Sequence, residues 1–150
     1  MPEVLVFAET KLNESHTDPQ FYIENYYKPS RKDFTSNSGG IIEFIKKGVV
    51  RKPLQDYELK TFESICSEIT INKVKYCLLS FYRTERGENK NLNIKRFFKE
   101  LAETVSKRTA RYDNIILMGV INIGSHDKKS PGFENLRLFK NSFGFSNLLK

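Results

Sequence analysis

Three short apolar runs end in residues that can do chemistry. Val4-Leu5-Val6-Phe7-Ala8 runs into Glu9, Cys77-Leu78-Leu79-Ser80-Phe81 runs into Tyr82-Arg83, and Ile115-Ile116-Leu117-Met118-Gly119 leads through Val120-Ile121 to Asn122. A carboxylate is a hard oxygen ligand for a divalent cation. A phenol and a side-chain amide can donate hydrogen bonds to charge developing on an anionic oxygen. Each ending alone has a plainer explanation. A carboxylate at a strand end is more often simply solvated, a tyrosine there packs and keeps its hydroxyl wet, and an asparagine after a strand serves as a turn residue. Taken together, the three suggest groups carried on the ends of a rigid sheet, where sites are commonly built.

The elements that would hold these residues are legible in outline. Val4–Ala8 is short and continuously apolar, as in a buried strand. The polar stretch from Leu12 to Gln20 contains Asp18-Pro19 and reads as a loop. Tyr26 to Arg31 is a candidate short strand. Ser38-Gly39-Gly40 marks a turn before a strand at Ile41–Ile45, which Lys46-Lys47-Gly48 ends. Between Phe62 and Tyr82, Ile65, Ile69 and Ile71 alternate with polar residues, Asn72-Lys73 turns the chain, and Val74, Tyr76, Leu78 and Tyr82 follow with period two. Cys77, Leu79 and Phe81 fill the other face, so this second strand is apolar on both sides and is expected to be central. Ile94, Phe97, Phe98, Leu101 and Val105 form one helical stripe over 91–108, with Asn91 or Asn93 as cap. Asn114–Val120 is expected to be another buried strand, and Pro131-Gly132 to Gly144 a closing helix. The class is α/β (α+β) with a mixed sheet.

Composition sets the outer bounds. The 150 residues suffice for one domain with a real core, and 39% apolar against 29% charged is an ordinary globular balance. No apolar run approaches the roughly 20 residues that span a bilayer, and the start shows neither a basic leader nor a cleavage site. A nuclear or cytoplasmic, non-secreted chain is expected. The two cysteines, Cys66 and Cys77, agree with a reducing compartment. With a turn at Asn72-Lys73 they lie diagonal to one another on a hairpin, and they read as small core residues rather than a disulfide. The net charge of +7, from 25 basic and 18 acidic residues, favours a polyanionic partner. The clusters at Lys46, Lys47, Arg51 and Lys52, at Arg83 and Arg86, and at Lys107, Arg108 and Arg111 would each be explained by a solvated face; only their sum leans toward nucleic acid. His16 and His126 have no partners at ligand spacing and support no zinc site.

With these segments in order, the chain resembles the endonuclease/exonuclease/phosphatase superfamily. Within it, it is similar to the endonuclease domain of non-LTR (LINE-type) retrotransposons, which accompanies a reverse transcriptase. The likeness runs through Phe7-Ala8-Glu9-Thr10-Lys11-Leu12, Ser38-Gly39-Gly40, Phe81-Tyr82-Arg83, the helix before the last strand, Asn114–Gly119, Pro131-Gly132-Phe133 and Ser142–Leu148. It implies a two-sheet mixed β-sandwich flanked by helices and Mg²⁺-dependent hydrolysis of a DNA phosphodiester. It further implies Glu9 as the metal-binding carboxylate and Tyr82 as a contact to the scissile phosphate. Asn122 would be the asparagine that positions the phosphate and the attacking water. DNA, and the remainder of a reverse-transcriptase polyprotein, are the implied partners.

The departures from the family pattern are as informative. Gly119-Val120-Ile121-Asn122 stands where the family has Gly-Asp-Phe-Asn, so Val120 replaces the aspartate that orients and activates water. Valine can do neither, and general-base help is worth about 10²–10⁴-fold. Arg83-Thr84-Glu85 replaces Arg-Pro-Pro in a loop expected to meet DNA. The family's earlier strand with its active-site asparagine and its closing Ser-Asp-His segment have no counterpart, which implies a single partial domain over 1–150, truncated at both ends. Ser125-His126-Asp127 is no substitute, being wrong in order and place. The expected outcome is a degenerate, inactive endonuclease-like domain; Asp113 and Asp127 flank the strand as possible replacement carboxylates. A non-catalytic nucleic-acid-binding module and a phosphatase of the same superfamily are the alternatives.

Overall fold

A computed structural model describes residues 1–34, 38–83, 89–123 and 129–148. Among these residues, seven strands form two sheets. β1 (Val4–Ala8), β3 (Ile41–Ile45) and β2 (Ser30–Lys32) make an antiparallel sheet in that order. β4 (Val50–Pro53), β5 (Glu63–Ile71), β6 (Val74–Tyr82) and β7 (Ile115–Val120) make the other, antiparallel except for the parallel β6–β7 pair. Helices α1 (Lys90–Thr109) and α2 (Pro131–Phe143) pack on its outer face. The two-sheet mixed sandwich flanked by helices is thus the architecture the chain adopts.

The β5–β6 hairpin follows the expected register. Asn72 and Lys73 take φ of +50° and +65°, the paired left-handed conformations of a two-residue turn whose twist matches that of the strands. Ile71 then faces Val74, and Cys66 faces Leu79. Cys66 and Cys77 are buried and free, with sulfurs 3.5 Å apart. The contact with Cys77, together with burial, holds the Cys66 thiol well above its usual range.

Strand alternation sorts side chains into layers. Ile41, Ile45, Ile65, Ile69, Leu78 and Tyr82 fill the space between the sheets. On the helix side, Phe62, Cys66, Cys77, Leu79 and Phe81 meet Phe97, Phe98, Leu101 and Val105 of α1 and Phe139 of α2. Phe62, Phe81, Phe97 and Phe98 sit with ring centroids 4.9–6.1 Å apart in largely edge-to-face contacts. Ile42 and Phe44 on the far face are covered by Tyr26 and its neighbours. A charged residue lies deep in the inter-sheet layer: Glu43 has no exposed surface and accepts hydrogen bonds from Ser67 Oγ at 3.0 Å and Ser80 Oγ at 2.6 Å.

Several expectations change. β1 and β7, expected to be buried, are outer strands of their sheets and only partly buried. Their apolar runs reflect packing on both faces, not a central position. The strand expected over Tyr26–Arg31 shortens to Ser30–Lys32, leaving Tyr26 in an isolated bridge to Lys46. Val50–Pro53 forms an outer strand that its polar sequence did not announce, and Asp18–Phe21 forms a 3₁₀ turn within the expected loop. Helix α1 is capped by Asn89, whose Oδ1 accepts from the Leu92 amide at 3.1 Å, rather than by Asn91 or Asn93.

Candidate functional site

The ends of β1, β6 and β7 lie at one end of the sandwich. Val4 packs with Tyr76, Leu78, Ile116 and Met118 at one end of the inter-sheet layer, and Val6 and Ala8 pack with Tyr82 at the other. Running in step toward that second end, β1 delivers Glu9, β6 delivers Tyr82, and β7 delivers Val120 with Asn122 two residues beyond.

Two of these residues have unusual backbones. Glu9 has φ of +56° and Asn122 of +52°, a region that costs residues with a Cβ roughly 1 kcal/mol or more. Each is held by its surroundings. The residues after Glu9 are tied to the Ser38-Gly39-Gly40 turn: the Thr10 amide donates to the Gly40 carbonyl at 3.3 Å and the Lys11 amide to the Gly39 carbonyl at 2.9 Å. Gly40 has φ of +92°, and a Cβ there would strike Thr10 Oγ1, so this contact requires glycine. Glu9 itself is exposed.

Asn122 is locked to the end of β6. Its Nδ2 donates to the Arg83 carbonyl at 2.8 Å, and the Arg83 amide donates to the Val120 carbonyl at 2.9 Å. The Arg83 guanidinium returns across the gap, donating to the Ile121 carbonyl at 2.8 Å and the Asn122 carbonyl at 3.1 Å. Arg83, expected to be part of a basic surface, is only 2% exposed and acts as a clamp between strand ends. The Asn122 Oδ1 has no partner among the described residues.

Tyr82 is 4% exposed and packs with Ile41 and Ile65, so much of the ring is core. Val120 stands opposite Tyr82 in the parallel register and is 41% exposed. An isopropyl group therefore occupies the mouth beside Tyr82, where the family pattern calls for a carboxylate. Glu63 is a further acid beside the site that sequence reading missed. It is the cross-strand partner of Tyr82 and accepts from the Gly40 amide at 2.8 Å. Its only signal was a carboxylate at the start of an apolar strand, which ordinarily reads as solvated.

Among the described residues, no three His, Cys, Asp or Glu side chains gather as a metal cluster. Thr84, Glu85 and Arg86, and the Ser125-His126-Asp127 segment, lie outside the described residues. No helix among those described is long and apolar enough to cross a membrane.

No family model matches the chain, and no curated protein matches it by sequence. Solved structures do. The catalytic domain of human Nocturnin, determined with bound sulfate, superposes with a TM-score of 0.61 at 12% identity over 89% of this chain and 55% of that one. The endonuclease domain of TRAS1, a telomere-specific non-LTR retrotransposon, superposes with a TM-score of 0.55 at 13% identity over 100% of this chain and 57% of that one. The chain thus spans little more than half the length of either domain. The fold that brings the ends of β1, β6 and β7 to one side of this sandwich is shared with both domains.

Proposed function

We propose that the Glu9–Tyr82–Asn122 end of the sandwich is a degenerate phosphodiester site, able to hold a nucleic-acid phosphate but no longer equipped to cleave it efficiently. The observation that carries the proposal is the pairing of Tyr82 with Val120 at the strand ends. Tyr82 and Asn122 would supply hydrogen bonds at these strand ends, while Val120 beside Tyr82 offers nothing that could orient water. The left-handed backbones of Glu9 and Asn122, each held by cross-strand hydrogen bonds, support a site inherited from a functional ancestor. The retrotransposon endonuclease with this fold supports DNA as the ligand class.

A magnesium ion fits only loosely. Mg²⁺ is often held by one or two carboxylates plus substrate phosphate, and Glu9, exposed at the end of β1, is the carboxylate available for that role. When bound, the ion would polarise the phosphoryl oxygen. Tyr82 and Asn122 would orient the phosphate, and Val120 would leave the attacking water without a base. The net charge of +7 favours a second reading, a non-catalytic nucleic-acid-binding module.

Nicking of supercoiled plasmid in Mg²⁺, beside a Glu9→Ala control with both proteins shown to be folded by circular dichroism, tests the proposal. The expected result is that the native chain nicks no faster than the control. Nicking that disappears in Glu9→Ala would mean the site still works, and the degenerate reading would be wrong.

A further inference from the structure

The β5–β6 pairing sets Cys66 opposite Leu79 and Cys77 opposite Glu68, so the two cysteines are diagonal neighbours. Both side chains lie in the helix-side layer, with Phe97, Leu101 and Val105 of α1. Diagonal partners in an antiparallel pair sit near the upper limit that a disulfide spans. Here the thiols are free and almost fully buried, and their sulfurs rest in contact at 3.5 Å. β5 and β6 are the inner strands of their sheet, so this contact lies at the centre of the fold. A cation acts on the pair. Arg108, in the last turn of α1, is buried; its guanidinium donates to the Gln55 carbonyl and lies 4.5 Å from the Tyr57 ring centroid. Its charge favours the thiolate at both cysteines. At Cys77 the contact from Cys66 lowers the thiol, opposed by burial and aided by Arg108. At Cys66 the same contact and burial raise it. Cys77 is therefore the sulfur that ionises, and the Cys66 thiol donates to it.

We propose that Cys66 and Cys77 are a peroxide-sensitive modification site, reduced at rest and closing to a reversible disulfide inside the folded chain. The Cys77 thiolate attacks hydrogen peroxide, forming an S–O bond as the O–O bond breaks; the hydroxide that leaves takes up the proton Cys77 had released, giving water. The Cys66 sulfur then attacks Cys77, and its proton departs with the sulfenic hydroxyl as a second water. The sulfurs lose an electron pair and the peroxide gains it. Because the second sulfur is already in contact, ring closure precedes attack by another peroxide, which would carry Cys77 on to the irreversible sulfinic acid. Burial beneath α1 screens the pair from bulky oxidants and from the thiols of other chains, whereas peroxide is little larger than water. The bond ties β5 to β6. Its diagonal reach pulls the strands along their register, which makes it easily reopened by a dithiol. None of this depends on the strand-end site.

Exposure of the folded chain to hydrogen peroxide in a metal chelator, followed by intact mass and by thiol counting after denaturation, tests the proposal. The native chain should lose the mass of two hydrogens and both thiols together, and dithiothreitol should restore them. Cys66→Ser, left with the attacking sulfur alone, should gain one oxygen in a form that dimedone captures at Cys77. Cys77→Ser should be oxidised about tenfold or more slowly than Cys66→Ser. Circular dichroism would verify that both variants fold, and the measurement on the native chain stands without them. Added oxygens in place of lost hydrogens, or disulfide-linked dimers, would overturn the proposal. So would thiols that survive in the folded chain under peroxide that oxidises the urea-unfolded chain. Equal rates in the two variants would overturn the roles given to the two sulfurs.

Discussion

Replacing Glu43 tests whether a carboxyl group is held between the sheets against its own charge. Glu43 has no exposed surface, and burial raises its pKa; the hydrogen bonds from Ser80 and Ser67 and the attraction of Arg51 oppose that rise without cancelling it. Because the folded-state value lies above the unfolded one, the linked stabilisation is complete below the ordinary carboxyl value of 4.5 and is lost as pH rises through the folded value. Glutamine keeps the shape, removes the charge, and can accept from one serine while donating to the other. Alanine instead strands two buried hydroxyls, at about 1–3 kcal/mol each, and opens a void. Glu43→Gln should therefore melt at or above the native chain at pH 8 and above Glu43→Ala by on the order of 10 °C, taking about 2–4 °C per kcal/mol for a domain of this size. Thermal melts of the three proteins at pH 5 and pH 8 check this. The advantage of Gln over the native chain should widen with pH. A gap that stays constant or narrows, or a Gln variant that falls with Ala, would refute the reasoning.

Two further outcomes follow from the packing. A Cβ at Gly119 would strike the Phe81 carbonyl oxygen and ring, so Gly119→Ala should destabilise the chain by about 2 kcal/mol or more through loss of β6–β7 pairing; a urea midpoint unchanged from the native chain would contradict this. Cys66 and Cys77, buried beneath α1, should react with an aromatic disulfide reagent only as fast as the fold opens; immediate release of thiolate from the folded chain would show that the thiols are accessible.

Where local rules act alone, the sequence was a sufficient guide. Asn72-Lys73 set the hairpin register to the residue, because a two-residue turn fixes every pair that follows it. Pro131 and Gly144 likewise bounded α2: Pro131 opens it, and Gly144 ends it at φ of +69°. What escaped depended on neighbours. Val50–Pro53 is a strand only because β5 presents an edge to it. Glu43 passed as one polar residue in an apolar run, since no local pattern says that Ser67 and Ser80 will face it from the other sheet. Arg83 looked like part of a basic patch until Asn122, far along the chain, came to lie beside it. The resemblance picked out Glu9, Tyr82 and Asn122, and the fold brings their strand ends to one side, but the acid at Glu63 becomes visible only once β5 is aligned with β6.

The hairpin turn and the parallel ladder bear unequally on how this site assembles during folding. A hairpin closed by two residues can form in about 1–10 μs, because little loop entropy opposes it. Pairing β7 with β6 must wait for the intervening chain, α1 included, to fold back across the sheet, and such long-range parallel contacts are intrinsically slow. Tyr82 is thus in register with Glu63 while Asn122 is still unplaced. In the interval the free edge of β6 presents an almost wholly apolar strand to solvent, and that half-built state, rather than the finished sandwich, is where the chain is most exposed to self-association.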